Sequence, residues 1–210
     1  MNCKTKIIDN FLNIDDFNII NNIKLDVVRN NKINVYHNTI DKKNIIQKSC
    51  ISENIIKLIH KKYHKKVFEI LEKLNLKKSK LYDYTDLTII KTGKNYKFPV
   101  HDDTPNKLLS GVIYLDPKIN TGTIFYRNKK GSNKETISWK KNRAVFFSRK
   151  ERETWHSYEG DGKSDRIVLV YNLMTNRIKD VYKIEEKNYL LGNLRQKINP
   201  YVYHYFDTTI

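Results

Sequence analysis

The stretch FPVHDDTPNKLLSGVIYLDP, residues 98–117, decides how the chain is read. It opens on apolar residues, passes through His101-Asp102-Asp103 and closes on the β-rich run Gly111-Val-Ile-Tyr-Leu115. In an extended strand residues two apart point to the same side. His101 and Asp103 therefore project together and Asp102 points away. An imidazole and a carboxylate on one face make two-thirds of the facial ligand set that suits non-haem Fe(II) and leaves coordination positions open.

The same pattern extends outward. Leu87–Ile90, Phe98–Val100, Thr123–Tyr126, Ala144–Phe147 and Ile167–Tyr171 are further short β-rich runs. Turn-forming stretches separate them, at Thr92-Gly93-Lys94, Asp116-Pro117, Asn120–Gly122, Lys130-Gly131-Ser132 and Glu159–Gly162. A series of short strands with turns between them predicts a sandwich or barrel. The first third reads as helical, apart from a short entering strand and turn over Lys6–Leu12. Asn13 is placed to cap a helix whose apolar face is Ile14, Phe17, Ile20 and Ile23–Leu25. A second helix starts after Ser52, with Ile55, Ile56, Ile59, Tyr63, Val67, Ile70, Leu71 and Leu74 at three- and four-residue spacing. Its other positions are mostly lysine, and His60 and His64 are read as part of that solvated face. Helices leading into a β unit give the class α+β, with the helices packed on one sheet. The tail mixes a helix near Ile184–Leu194 with the aromatic run Tyr201–Phe206, read as a further strand or an arm.

Composition narrows the class. With 14 Tyr and 8 Phe the chain is too aromatic for a disordered polycation, in spite of a formal charge of +17. No apolar run is long enough to span a membrane, and the start lacks a secretory signal, so a cytoplasmic protein without a membrane partner is expected. Cys3 and Cys50 cannot build a disulfide framework or a Cys-rich zinc site and read as reduced thiols. The charge invites polyanions, yet Lys, Asn and Ile are all abundant, as an AT-rich coding bias would produce. The basic stretch Lys140–Arg152 is the part placed to steer an acidic protein or a nucleic acid toward a site.

The third ligand must come from elsewhere. His156, in Glu153-Thr-Trp-His-Ser157, is the best candidate, with Trp155 beside it read as wall. Ten residues on, Arg166 opens a core strand. A guanidinium there needs a carboxylate partner. That partner is a protein group such as Asp165 or Glu159, or a dicarboxylate ligand gripped by the guanidinium fork. Asn172 shares strand parity with Arg166.

His101-x-Asp103, His156 and Arg166, in this order on a β unit, resemble the Fe(II)- and 2-oxoglutarate-dependent dioxygenases, in their prolyl-hydroxylase-like branch. Asp9-Asn-Phe-Leu12, Gly111–Leu115, Gly122-Thr-Ile-Phe125 and Asn142–Phe147 resemble local phrases of that branch, and the likeness spans most of residues 6–175. It implies a double-stranded β-helix, a jelly-roll or cupin-like barrel, within a single domain over 1–210. Residues 1–80 would be mainly helical support, 82–175 the β-helix core and 176–210 a C-terminal extension. It further implies Fe(II) on His101, Asp103 and His156, and 2-oxoglutarate held by Arg166 with help from Tyr114. O2 would be the oxidant and ascorbate (vitamin C) the reductant. The implied reaction is hydroxylation of a C–H bond, in first place on a prolyl residue of a protein or peptide. Small molecules and nucleic acid are the other substrate classes. Nucleic acid is disfavoured because the demethylating branch carries a second arginine where this chain has Asn172. A basic β-barrel binding module without turnover is the non-enzymatic alternative.

Overall fold

A computed structural model of the chain describes residues 4–206. In order, the elements are β1 (Thr5–Ile8), α1 (Ile14–Asn21), β2 (Ile33–Tyr36), β3 (Thr39–Asp41), β4 (Ile46–Lys48) and α2 (Glu53–Ser79). Then follow β5 (Tyr84–Thr92), β6 (Lys97–His101), β7 (Lys107–Asp116), β8 (Ile124–Phe125), β9 (Glu135–Thr136) and β10 (Ala144–Phe147). The chain continues through β11 (His156–Glu159), β12 (Arg166–Met174), α3 (Ile178–Glu185) and α4 (Tyr189–Phe206).

The strands form two antiparallel sheets. The large one runs β1-β10-β7-β12-β5-β3-β4, with β2 also on β5; the small one runs β6-β11-β8-β9. Neither closes on itself among the described residues, so the expected barrel is in fact two open sheets with a cavity between them.

Period-two alternation divides the large sheet into two faces. Leu87 and Ile89 of β5, Leu109 and Ile113 of β7, Phe146 of β10, and Leu169, Tyr171 and Leu173 of β12 join one cluster with the buried faces of α1 and α2. The intervening residues Ile90, Val112, Phe147 and Val168 face the cavity. The N-terminal helices thus lie on one sheet, as the apolar spacing predicts. Asn13 caps α1 by accepting from the Asp16 amide at 2.8 Å. Asp16 is itself buried and accepts from Lys62 Nζ at 2.7 Å and the Tyr63 hydroxyl at 2.6 Å, tying α1 to α2.

Several sequence expectations change. α1 stops at Asn21, and Ile23 and Leu25 pack on the core from a loop. Between α1 and α2 the chain adds β2, β3 and β4 to the large sheet rather than continuing as helix. α2 breaks at Asn75, whose side chain accepts from the Lys78 amide at 3.1 Å and starts a last turn. His60 is not solvated: it is buried, stacked on His64 with ring centroids 4.4 Å apart and 3.3 Å from the Thr85 hydroxyl. The aromatic run Tyr201–Phe206 is the end of α4, not a strand. Cys50 is an exposed free thiol, and Cys3 lies outside the described residues. No helix among the described residues is long and apolar enough to cross a membrane.

Candidate metal centre

The small sheet brings two histidines together by register. β11 pairs with β6 so that His156 stands directly opposite His101, and on its other side His156 is opposite Phe125 of β8. The two imidazole centroids are 4.2 Å apart. Asp103 lies just past the end of β6, with Oδ2 3.9 Å from His156 Nε2. One ligand atom from each of His101, Asp103 and His156 falls within 4.8 Å of the others, the only such metal-capable cluster among the described residues.

Neighbouring groups prepare these atoms. His101 Nδ1 lies 3.0 Å from the Pro99 carbonyl, and His156 Nδ1 lies 2.9 Å from the Thr154 carbonyl. A carbonyl only accepts, so each Nδ1 carries a proton and Nε2 is the nitrogen each ring has for a metal. Burial, with His156 alongside, pulls the His101 pKa down to about 3, which keeps that imidazole neutral. Burial works against ionisation of Asp103, but the Lys107 ammonium and the two imidazoles override it and hold the carboxyl well below the usual range. Lys107 Nζ donates to Asp103 Oδ1 at 2.6 Å and the Ser110 hydroxyl donates to Oδ2 at 2.5 Å. Two imidazoles that donate from Nδ1 and can ligate through Nε2, with an ionised carboxylate, fit Fe(II). Hydrogen bonds to the far atoms of ligands are the usual way such a set is oriented.

The cavity, about 180 Å³, also receives Arg166, the first residue of β12. Arg166 is buried, its Nε has no hydrogen-bond partner, and it makes no ion pair among the described residues. Of the two protein carboxylates considered as partners, Glu159 is taken by Lys97 at 2.6 Å, and Asp165 does not pair with Arg166. The guanidinium instead lies on the Tyr158 ring, 3.9 Å from its centroid, with Trp139 at 5.5 Å and Tyr114 at 5.8 Å. Burial lowers the Arg166 pKa, and the cation remains charged. Tyr114 is fully buried and stacked on Trp139; its hydroxyl donates to Thr123 Oγ1 at 3.0 Å and accepts from the Thr123 amide at 2.8 Å. Thr123 stands between Tyr114 and the cavity.

Asn172 lines the cavity, as its parity with Arg166 predicts, and its amide donates to Asp86 Oδ2 at 3.2 Å. Trp155 is buried, with its indole N–H on the Arg152 carbonyl. Sequence reading missed Lys107, Ser110, Thr123 and Tyr158. Ser110 was legible in principle, since it shares parity with Val112 and Tyr114 on β7. Most cations of the basic stretch Lys140–Arg152 are engaged in intramolecular ion pairs. Lys140 and Arg143 grip Asp9 at 2.8 and 2.6 Å, Lys141 pairs with Asp116, Lys150 with Glu153, and Arg149 is wholly buried.

The sequence matches no protein-family model and no curated protein. The fold, by contrast, is found among solved structures. A protein from Burkholderia pseudomallei described as an oxidoreductase of the 2OG-Fe(II) oxygenase family superposes with a TM-score of 0.59 at 16% identity, covering 82% of this chain and 87% of its own. A Pseudomonas putida prolyl-4-hydroxylase gives 0.53 at 12% identity, over 82% and 92%. A Trichoplax adhaerens prolyl hydroxylase, solved with a hypoxia-inducible-factor peptide fragment, gives 0.53 at 16% identity, over 84% and 86%. At these identities the likeness is one of fold: the chain has the mixed α and β architecture of 2OG-Fe(II) oxygenases, prolyl hydroxylases among them.

Proposed function

We infer that the protein is an Fe(II)- and 2-oxoglutarate-dependent oxygenase whose two sheets are the halves of a double-stranded β-helix. Strand order supports the fold reading: from β5 to β12 the chain passes back and forth, with β5, β7, β10 and β12 in the large sheet and β6, β8, β9 and β11 in the small one. The whole chain would be one oxygenase unit, residues 82–175 its core. The observation that carries the functional reading is a buried, unpaired Arg166 lining the same cavity as a His-His-carboxylate cluster whose imidazoles can ligate through Nε2.

His101 Nε2, Asp103 and His156 Nε2 would hold the iron. The Arg166 fork would pair with the distal carboxylate of 2-oxoglutarate, beside the Thr123 hydroxyl that Tyr114 orients. Tyr158, stacked on the guanidinium, keeps the fork in place and water away from it. When bound, iron and 2-oxoglutarate supply the oxidising power, consuming O2 and releasing CO2 and succinate as a substrate C–H bond is hydroxylated. Tyr96, Phe98, Val112 and Val170 make much of the remaining cavity wall apolar, which favours a hydrocarbon-rich target. A prolyl residue of a protein or peptide is the first candidate, consistent with the prolyl hydroxylases that share the fold. Nucleic acid is the weaker candidate, because most cations of the basic stretch are already engaged with Asp9, Asp116, Glu153 and Glu185.

The test is succinate release from 2-oxoglutarate with Fe(II), ascorbate and O2, uncoupled from any substrate. Intact, iron-loaded protein that releases none, and whose melting temperature 2-oxoglutarate leaves unchanged, rejects the reading. His156→Ala should abolish Fe(II) binding. Arg166→Ala should retain iron but weaken 2-oxoglutarate more than about thirtyfold, since losing one partner of a buried charge pair costs about 2–5 kcal/mol. Equal loss of both ligands in Arg166→Ala rejects the assigned roles. Candidate proline peptides can then be screened by mass spectrometry for the gain of one oxygen.

A further inference from the structure

The sheets alone do not fix all three ligands. β6 ends at His101, so Asp103 sits on the loop leading to β7, where no ladder holds its backbone. Other bonds hold it. Arg149 Nε donates to the Asp103 carbonyl at 3.0 Å. Asp102, pointing the opposite way, is buried, and its Oδ2 accepts from Arg195 Nη2 at 2.9 Å and the Arg152 amide at 2.8 Å.

Both arginines lead to the C-terminal helices. Arg195 belongs to α4 and also pairs with Glu151 at 3.1 Å. Arg149 Nη1 donates to Oε2 of Glu185, the last residue of α3, at 2.7 Å. Lys78 Nζ meets Oε1 of the same carboxylate at 2.5 Å and also donates to the Arg149 carbonyl. The result is a buried cluster of six charges: Lys78, Arg149 and Arg195 against Asp102, Glu151 and Glu185.

Such a cluster is a poor way to dock helices for stability alone. Desolvating paired charges costs about as much as the pairing returns, and apolar contacts of the same volume do as well or better. α4 has apolar residues to offer, yet it leaves Leu190, Leu191 and Leu194 exposed and turns Arg195 inward. The arrangement makes sense if what it secures is position. α4 is also brought close to α3 on purpose: a Cβ on Gly192 would lie 2.2 Å from Tyr182 Cε1.

We propose that α3 and α4 form part of the frame of the metal centre, with Arg195 as a positioning residue that fixes Asp102 and so sets the place of the Asp103 carboxylate. This rests on the metal-centre reading above. Partners one step removed from a metal typically contribute about 10–100-fold to its affinity.

The test is titration of the full chain with Co(II), a spectroscopically visible stand-in for Fe(II), by calorimetry and by its d–d absorption. Arg195→Met and the near-isosteric Asp102→Asn should each weaken Co(II) about 10–100-fold and change the absorption band, with Arg195→Lys recovering part of the loss. Gly192→Ala, which pushes α4 away without altering a charge, should weaken Co(II) as well. If Arg195→Met does not fold, Asp102→Asn and Gly192→Ala decide. Folded variants that bind Co(II) within twofold of the parent, even with lower metal-free melting temperatures, overturn the proposal and make α4 a mere buttress. A parent protein that takes up no Co(II) or Fe(II) overturns the metal-centre reading itself, and the proposal with it.

Discussion

Pro99 and Thr154 decide the chemistry of the centre through main-chain atoms alone, because their carbonyls set the tautomers of His101 and His156. Each acceptor lies two residues before its histidine, so each imidazole is prepared by the chain that leads into it. The His-x-Asp spacing anticipated that His101 and Asp103 lie near each other, but not that Asp103 falls past the end of β6 and is held from outside the strand; the tautomers were not readable, since any residue offers a carbonyl. His60 shows the opposite case, where lysines on both sides suggested a solvated histidine and tertiary packing buried it. Burial, with His64 stacked alongside, pulls its pKa down from 6.5 to about 4. Between those values the unfolded chain binds the proton and the folded one does not, so stability is full above about pH 6.5 and falls as pH drops toward 4. The denaturation midpoint of the metal-free protein should fall with pH through that window, and His60→Gln should reduce the slope, with His64 and His101 supplying the remainder. An unchanged slope would show that His60 does not titrate on unfolding.

Gly111 shows what a strand can require of one position. It lies in β7 opposite Phe146 of β10, and a Cβ there would stand 2.4 Å from the Phe146 ring and 2.7 Å from the Tyr171 carbonyl. The backbone oxygen cannot give way, so Gly111→Val should cost about 1–3 kcal/mol, read as a lower urea midpoint at unchanged m-value. The strands around it were legible because each alternates between the helix-covered core and the cavity, and that period survives in the sequence. β2, β3 and β4 were not, since they are strands of three or four residues, too short to show a period. α4 was misjudged for a related reason: Tyr201–Phe206 has strand-like composition, but the backbone continues as helix through Pro200.

The formal charge of +17 is offset locally rather than spread evenly. α2 sends most of its lysines to solvent, while Lys78 and Arg149 are wholly buried beside Glu185, a burial that no local pattern announces. The same limit hid the frame of the centre, for Arg195 and Asp102 are 93 residues apart in sequence. Metal should stabilise the assembled molecule: at 100 times its dissociation constant an ion adds about 2.7 kcal/mol, or roughly 5–10 °C in melting temperature for a chain of this length. A chelator should reverse the gain, and His156→Ala should show none. The reach of Arg195 across the sequence also has a consequence in time. At roughly 5–20 residues per second, a ribosome needs roughly 5–20 s to pass from Asp102 to Arg195. During that interval the two histidines and Asp103 can already be made while the clamp on Asp102 is still missing. On the proposed reading of the site, a nascent chain would hold a metal ion only loosely until α4 docks, and the site would be complete only in a nearly finished fold.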